Sequence, residues 1–158
     1  MDKIYGTSIR QDGLQKVGRN RWDLFYGFGK DDDNEMGYNW RTTFDHQPTI
    51  DEVKGAITAQ ISSNAQKAII EGYRWDGIAV WLSDENQRNY TLAYNLAKDG
   101  NLGKLPTVKL GSDEEPVLHT FKDTKELTAF VQGMQQHIQM CLESAWHEKE
   151  QIDWSIYE

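Results

Sequence analysis

Glu71-Gly72-Tyr73-Arg74-Trp75-Asp76-Gly77-Ile78-Ala79-Val80-Trp81-Leu82-Ser83-Asp84-Glu85-Asn86-Gln87 holds a strand, a turn, a second strand and a helix start in one run. Asp76-Gly77 between short apolar stretches is a strong hairpin signal, because a type I′ turn needs positive φ at both central residues. Ser83, followed by Asp84 and Glu85, reads as a helix cap with acid in the first turn. Residues 73–82 are therefore expected as a hairpin. A helix is expected from Asp84 to about Lys98, with Tyr90, Ala93, Tyr94 and Ala97 on one face. Asp99-Gly100-Asn101-Leu102-Gly103 reads as its stop and loop.

A looser echo of this unit follows. Residues 107–110 and 117–121 look like strands around the turn Gly111-Ser112-Asp113-Glu114-Glu115-Pro116. Asp123 then caps a long helix, with Glu126 three residues on in a capping-box-like pattern. Leu127, Phe130, Val131, Met134, Ile138, Cys141, Leu142 and Ala145 keep one apolar stripe along it. Upstream, residues 22–28 and 38–44 read as paired aromatic-rich strands, with Asp31-Asp32-Asp33-Asn34-Glu35 as the exposed loop between them. Thr49 and Glu52 form a capping box, and Ile50, Val53, Ile57 and Ile61 mark a helix face. Ser62-Ser63-Asn64 stand as a break or kink in that helix, and Gly72 as its C′ residue. The tail, residues 153–158, either docks or stays loose. The expected fold class is α+β: small antiparallel β-hairpins packed against three amphipathic helices in a single domain. Residues 1–48 form an N-terminal β-rich segment, and 49–158 a helix-hairpin-helix-hairpin-helix core that folds with it.

Composition narrows the function classes. The chain has 158 residues, with six Trp, seven Tyr and five Phe, enough aromatic bulk for a compact core although only 38% of residues are hydrophobic. Net charge is -8, and the only basic cluster is Lys16, Arg19 and Arg21, which argues against nucleic acid and against an anionic membrane surface. No apolar run is long enough to span a bilayer and no signal peptide opens the chain. The single cysteine, Cys141, allows no internal disulfide and fits a reducing compartment. The expected location is the cytoplasm.

Candidate sites reduce to a few. His46, His119, His137 and His147 meet no zinc spacing. Counted from Asp31, an EF-type loop would need Gly where Met36 stands and a distal Glu where Thr42 stands. Cys141 lies on an apolar stripe and reads as an inert thiol. Ser8 and Ser83 lack a glycine-framed elbow, and Gly27, Gly29 and Gly37 do not form a phosphate loop. No catalytic, cofactor or metal residue is assigned. Trp22, Trp40, Trp75, Trp81 and Trp146 are the candidate protein-contact residues, since Trp concentrates both in cores and at binding hot spots. Their hairpin setting tilts Trp75 and Trp81 toward the core.

The run Ile70-Glu71-Gly72-Tyr73-Arg74-Trp75-Asp76-Gly77-Ile78-Ala79-Val80-Trp81-Leu82-Ser83 resembles a domain family of unknown function found in phage and prophage tail-associated proteins. In that family a helix leads into such a hairpin. A Ser/Asp cap with a nearby Gln follows, matched here by Ser83, Asp84 and Gln87. A second helix, a second hairpin and a last helix complete it. Residues 117–121, the Asp123 cap and the helix through Trp146-His147-Glu148-Lys149 match that end. The resemblance covers roughly residues 49–152 and leaves the N-terminal strands outside, and the charged insert 111–116 departs from it. It implies a non-enzymatic structural or assembly protein, in the host cytoplasm or virion-associated, whose partner is another virion component, and it carries over no catalytic residue. The acidic charge alone suggests an alternative, a small regulatory protein that occupies a basic, nucleic-acid-binding partner. A second copy of the chain is a further candidate partner, through the long stripe of the last helix.

Overall fold

The edges of the N-terminal sheet show how little apolar patterning a strand needs once its neighbour is strong. The computed structural model describes residues 1–32, 35–100, 103–112 and 114–158. The middle residues of three expected loops (Asp33-Asn34, Asn101-Leu102 and Asp113) lie outside the described residues. Contacts cluster into two units, Met1–Ser62 with Glu148–Glu158, and Ser63–His147. Both helices and antiparallel strands are present, so the chain is α+β as expected.

The first unit carries a four-stranded antiparallel sheet in the order β1-β4-β3-β2. Its strands are β1 (Asp2–Thr7), β2 (Gly13–Gly18), β3 (Arg21–Gly29) and β4 (Gly37–Phe44). The central pair was legible as aromatic strands, and pairs Trp22 with Phe44 and Tyr26 with Trp40. The sequence reading missed β1 and β2. Both are edge strands without a buried residue, and each is interrupted by an irregularity near its end, as edges often are. Buried polar groups order the connection between them. Asn39 is 2% exposed; its Oδ1 accepts from the Gln11 backbone at 2.8 Å, and its Nδ2 donates to Ile9 O at 3.2 Å. Asp12 Oδ1 accepts from Gly27 N at 2.8 Å, at a register shift in β3 where Gly27 has φ 66.

Helix α1 (Ile50–Gly72) begins with the expected capping box. Glu52 N donates to Thr49 Oγ1 at 3.3 Å, and Thr49 N donates to Glu52 Oε2 at 2.8 Å. Val53, Ile57 and Ile61 are buried at the predicted spacing, and Leu24 and Tyr26 of β3 supply further core of this unit. Ser62-Ser63-Asn64 do not interrupt the helix, which runs unbroken for 23 residues. A serine costs a helix only a few tenths of a kcal/mol, and Ser62 Oγ is engaged by Lys149 Nζ at 2.8 Å. The tail docks: a short 3-10 helix, Trp154–Tyr157, buries Tyr157 and starts at Asp153, whose carboxylate accepts from Ser155 N at 3.0 Å.

The second unit uses the hairpin-then-helix order twice. β5 (Arg74–Trp75) pairs with β6 (Ile78–Ala79), and α2 (Asp84–Lys98) follows. β7 (Thr107–Gly111) pairs with β8 (Pro116–Thr120), and α3 (Thr124–Glu150) follows. Asp76 at φ 48 and Gly77 at φ 80 give the type I′ signature. Phe130 of α3, fully buried, centres the core. The rings of Tyr73, Trp75, Tyr90 and Phe121 lie around it at centroid distances of 5.8, 5.4, 5.0 and 5.2 Å.

Gly72 is the last residue of α1, but positive φ is not what its position requires. Space is: a Cβ there would lie 2.9 Å from His137 Cε1. His137 Nε2 sits 3.0 Å from Ala68 O and 3.3 Å from Ile69 O, capping carbonyls of the last turn of α1.

Candidate protein-binding groove

Ser83 starts α2 as read from the sequence: its Oγ accepts from Asn86 N at 3.3 Å. The first turn of α2 also ties down the chain that enters it. Asn86 Nδ2 donates to Trp81 O and Gln87 Nε2 to Leu82 O, each at 2.8 Å. With the backbone fixed, side chains alternate. Val80 and Leu82 are buried, and Trp81 between them is 54% exposed. This reverses the tilt of Trp81 toward the core and leaves it among the candidate contact residues. Hairpin parity gives the reason: Trp75 pairs with Ile78, so Tyr73 and Val80 fall on the same face and Trp81 on the other.

Trp81 stands at a groove of about 690 Å³. One wall is a single face of α2, with Asn86, Asn89, Tyr90 and Ala93 at helical spacing. The other is β7, where Thr107, Val108 and Lys109 line it in succession. Successive strand residues point to opposite faces, so the groove meets β7 along its edge. No residue of β8 lines it, and β6 also comes close to β7. Tyr90 is buried against Phe130, and burial pushes its phenol up from the ordinary range. Gly111 closes the far end at φ 79, where a Cβ would strike Glu115 O. Among the described lining residues, Lys109 is the charged one and none is a carboxylate.

The other four candidate tryptophans lie elsewhere. Trp75 is half-buried on Phe130, with a buried Nε1 that meets no acceptor among the described residues. Trp146 is 52% exposed on α3 and does not line the groove. Trp22 and Trp40 belong to the first unit, both half-buried. Lys16 Nζ lies 5.7 Å from the Trp22 ring, and Tyr38 sits edge-on to Trp40 at 5.3 Å. The sequence reading missed the groove's carboxamides and its strand edge. Their spacing was readable on α2, but only the fold sets that helix face beside β7.

The remaining polar clusters are structural. Asp31 binds Lys3 Nζ at 2.7 Å and the Tyr5 hydroxyl, so this member of the acidic run is held and not merely solvated. Tyr26 OH donates to Glu148 Oε1 at 2.6 Å, and burial foremost, then that bond, holds the phenol protonated. Cys141 Sγ lies 3.8 Å from His137 Nε2, and burial pushes the thiol up, away from the thiolate a nucleophile needs. Among the described residues no helix is long and apolar enough to cross a membrane, and no group of three or more His, Cys, Asp or Glu could hold a metal ion. Comparison of the chain with protein-family models, with curated proteins and with solved structures finds no match.

Proposed function

We propose that this chain is a non-enzymatic, phage- or prophage-encoded structural or assembly protein that binds another, tail-associated virion component, in the host cytoplasm or in the virion. The observation that carries the binding role is Trp81. A large aromatic side chain stands mostly exposed beside a groove whose floor is anchored in the core. Exposed tryptophans beside a pocket are favoured anchors for protein partners. The groove's volume falls within the range of specific sites, roughly 300–1,000 Å³. The phage setting rests on the resemblance of residues 70–83 to the tail-associated family.

A photo-cross-linking amino acid placed at position 81 tests the reading in induced or infected cells. A cross-link to a virion or assembly protein is the expected result. Cross-links only to unrelated host proteins, together with a gene far from tail, baseplate and mobile-element genes, would refute it.

A further inference from the structure

We propose that β8 pairs, antiparallel, with the β8 of a second copy of this chain, so that Leu118 faces Leu118 across a two-fold axis. The pairing is independent of the groove, which no residue of β8 lines. β8 bonds to β7 on one side, and it is β7 that β6 comes close to. Burial across the ladder shows which edge is open. Leu110 of β7 and Val117 of β8 are paired on one face, yet Leu110 is 0% exposed and Val117 40%. Four of the five residues of β8 are exposed, Leu118 at 74%. An exposed strand edge carries unpaired N–H and C=O groups and is a template for another strand.

Parity and charge select a copy of the same strand. Residues of an antiparallel strand alternate between aiming their backbone groups at one neighbour and at the other. A strand laid on its own copy therefore matches residues of like parity, and the symmetric registers of β8 centre on Val117, Leu118 or His119. Leu118 is the midpoint of Pro116–Thr120, so that register overlaps the strand along its whole length. It sets Val117 against His119 and Pro116 against Thr120. Pro116, which lacks an N–H, stands at the end of the ladder and removes at most the terminal bond. No like charges meet within the pairing, although the chain as a whole carries -8. Just beyond its ends, Glu114 of each copy falls opposite Lys122 of the other, and both are exposed. Centring on His119 would instead set Glu115 against Asp123. A ladder this short is small for a permanent interface, so the dimer is transient, with a dissociation constant in the micromolar-to-millimolar range.

Sedimentation equilibrium of the intact chain, over concentrations rising to about 1 mM, tests the pairing. The expected result is a monomer–dimer equilibrium. Leu118→Glu weakens it by at least about tenfold, because like charges then meet at the axis. Within the chain the new carboxylate faces Lys109, so the circular-dichroism melt stays that of the parent. Glu114→Lys and Lys122→Glu each weaken the dimer by about fivefold, since two symmetric pairs change sign at once, and the two substitutions together restore it. A chain that stays monomeric at every concentration overturns the inference. So does a dimer that Leu118→Glu leaves intact, which would place the contact elsewhere, such as on the last helix. So do charge reversals that change nothing singly or fail to restore pairing together.

Discussion

Replacing Gly72 with alanine sets two effects of similar size against each other. Glycine in a helix costs up to about 1 kcal/mol relative to alanine, so propensity alone predicts that Gly72→Ala stabilises the chain. Packing predicts the opposite. The new Cβ would lie 2.9 Å from His137 Cε1, and ordinary contact requires the ring to retreat by about half an ångström. That ring is wedged against Tyr73 at 5.8 Å, and its Nε2 contacts Ala68 O at 3.0 Å and Ile69 O at 3.3 Å. Retreat stretches what is one bifurcated bond, worth about 0.5–1.5 kcal/mol, disturbs the ring pair with Tyr73, worth about 0.5–1.5 kcal/mol more, and uncaps the last turn of α1. The losses exceed the propensity gain, and the net expectation is destabilisation by about 1 kcal/mol. For a chain of this length that lowers the melting temperature by about 2–4 °C. A double-mutant cycle read by thermal and urea melts isolates the cause. In a His137→Ala background the clash is gone, and Gly72→Ala should become neutral or stabilising. If the substitution stabilises the parent chain, or destabilises both backgrounds alike, the packing argument is wrong.

Further outcomes follow from burial and from titration. Phe130→Ala empties the centre of a four-ring cluster and should cost about 3–5 kcal/mol in urea melts, whereas Trp81→Ala should stay within about 0.5 kcal/mol of the parent because its side chain is mostly exposed. Tyr26→Phe removes the bond to Glu148 and should cost about 1 kcal/mol; a loss near zero would mean that the pair is fully solvent-screened. Burial raises the phenols of Tyr26, Tyr73, Tyr90 and Tyr157, that of Tyr73 to about 12. A raised folded value means that the stabilisation is fully present below the unfolded value, about pH 10, and is lost as pH rises through the folded values. Melting temperature should fall from about pH 10 upward. Tyrosinate absorbance should show five late-ionising tyrosines that the unfolded chain lacks, these four and Tyr5, whose hydroxyl is held by Asp31.

Local chemistry was the legible part of this fold. Asp76-Gly77, Ser83, Thr49 with Glu52, and Asp123 with Glu126 each act as read, because turns and caps are decided within a few residues. Glu126 N donates to Asp123 Oδ1 at 2.8 Å, although the Glu126 carboxylate reaches back to Lys122 N and not to the cap residue itself. β1 and β2 were hidden because their order comes from partners distant in sequence: β4 and β3 for the ladders, Asn39 and Asp12 for the turn between them. Ser62-Ser63-Asn64 misled because weak local preferences yield to a helix held along its length by buried Val53, Ile57 and Ile61. Trp81 stood among the candidate contact residues with a tilt toward the core that its hairpin setting suggested, whereas the hairpin's own parity separates it from Trp75. The groove could not be read at all, since it exists only where one face of α2 stands beside an edge of β7.

Photo-cross-linking from position 81 in induced or infected cells tests the central claim most directly. The partner-binding reading predicts a cross-link to another virion or assembly protein that the same probe placed at the exposed Leu118 does not give. Cross-links from position 81 only to unrelated host proteins would contradict it.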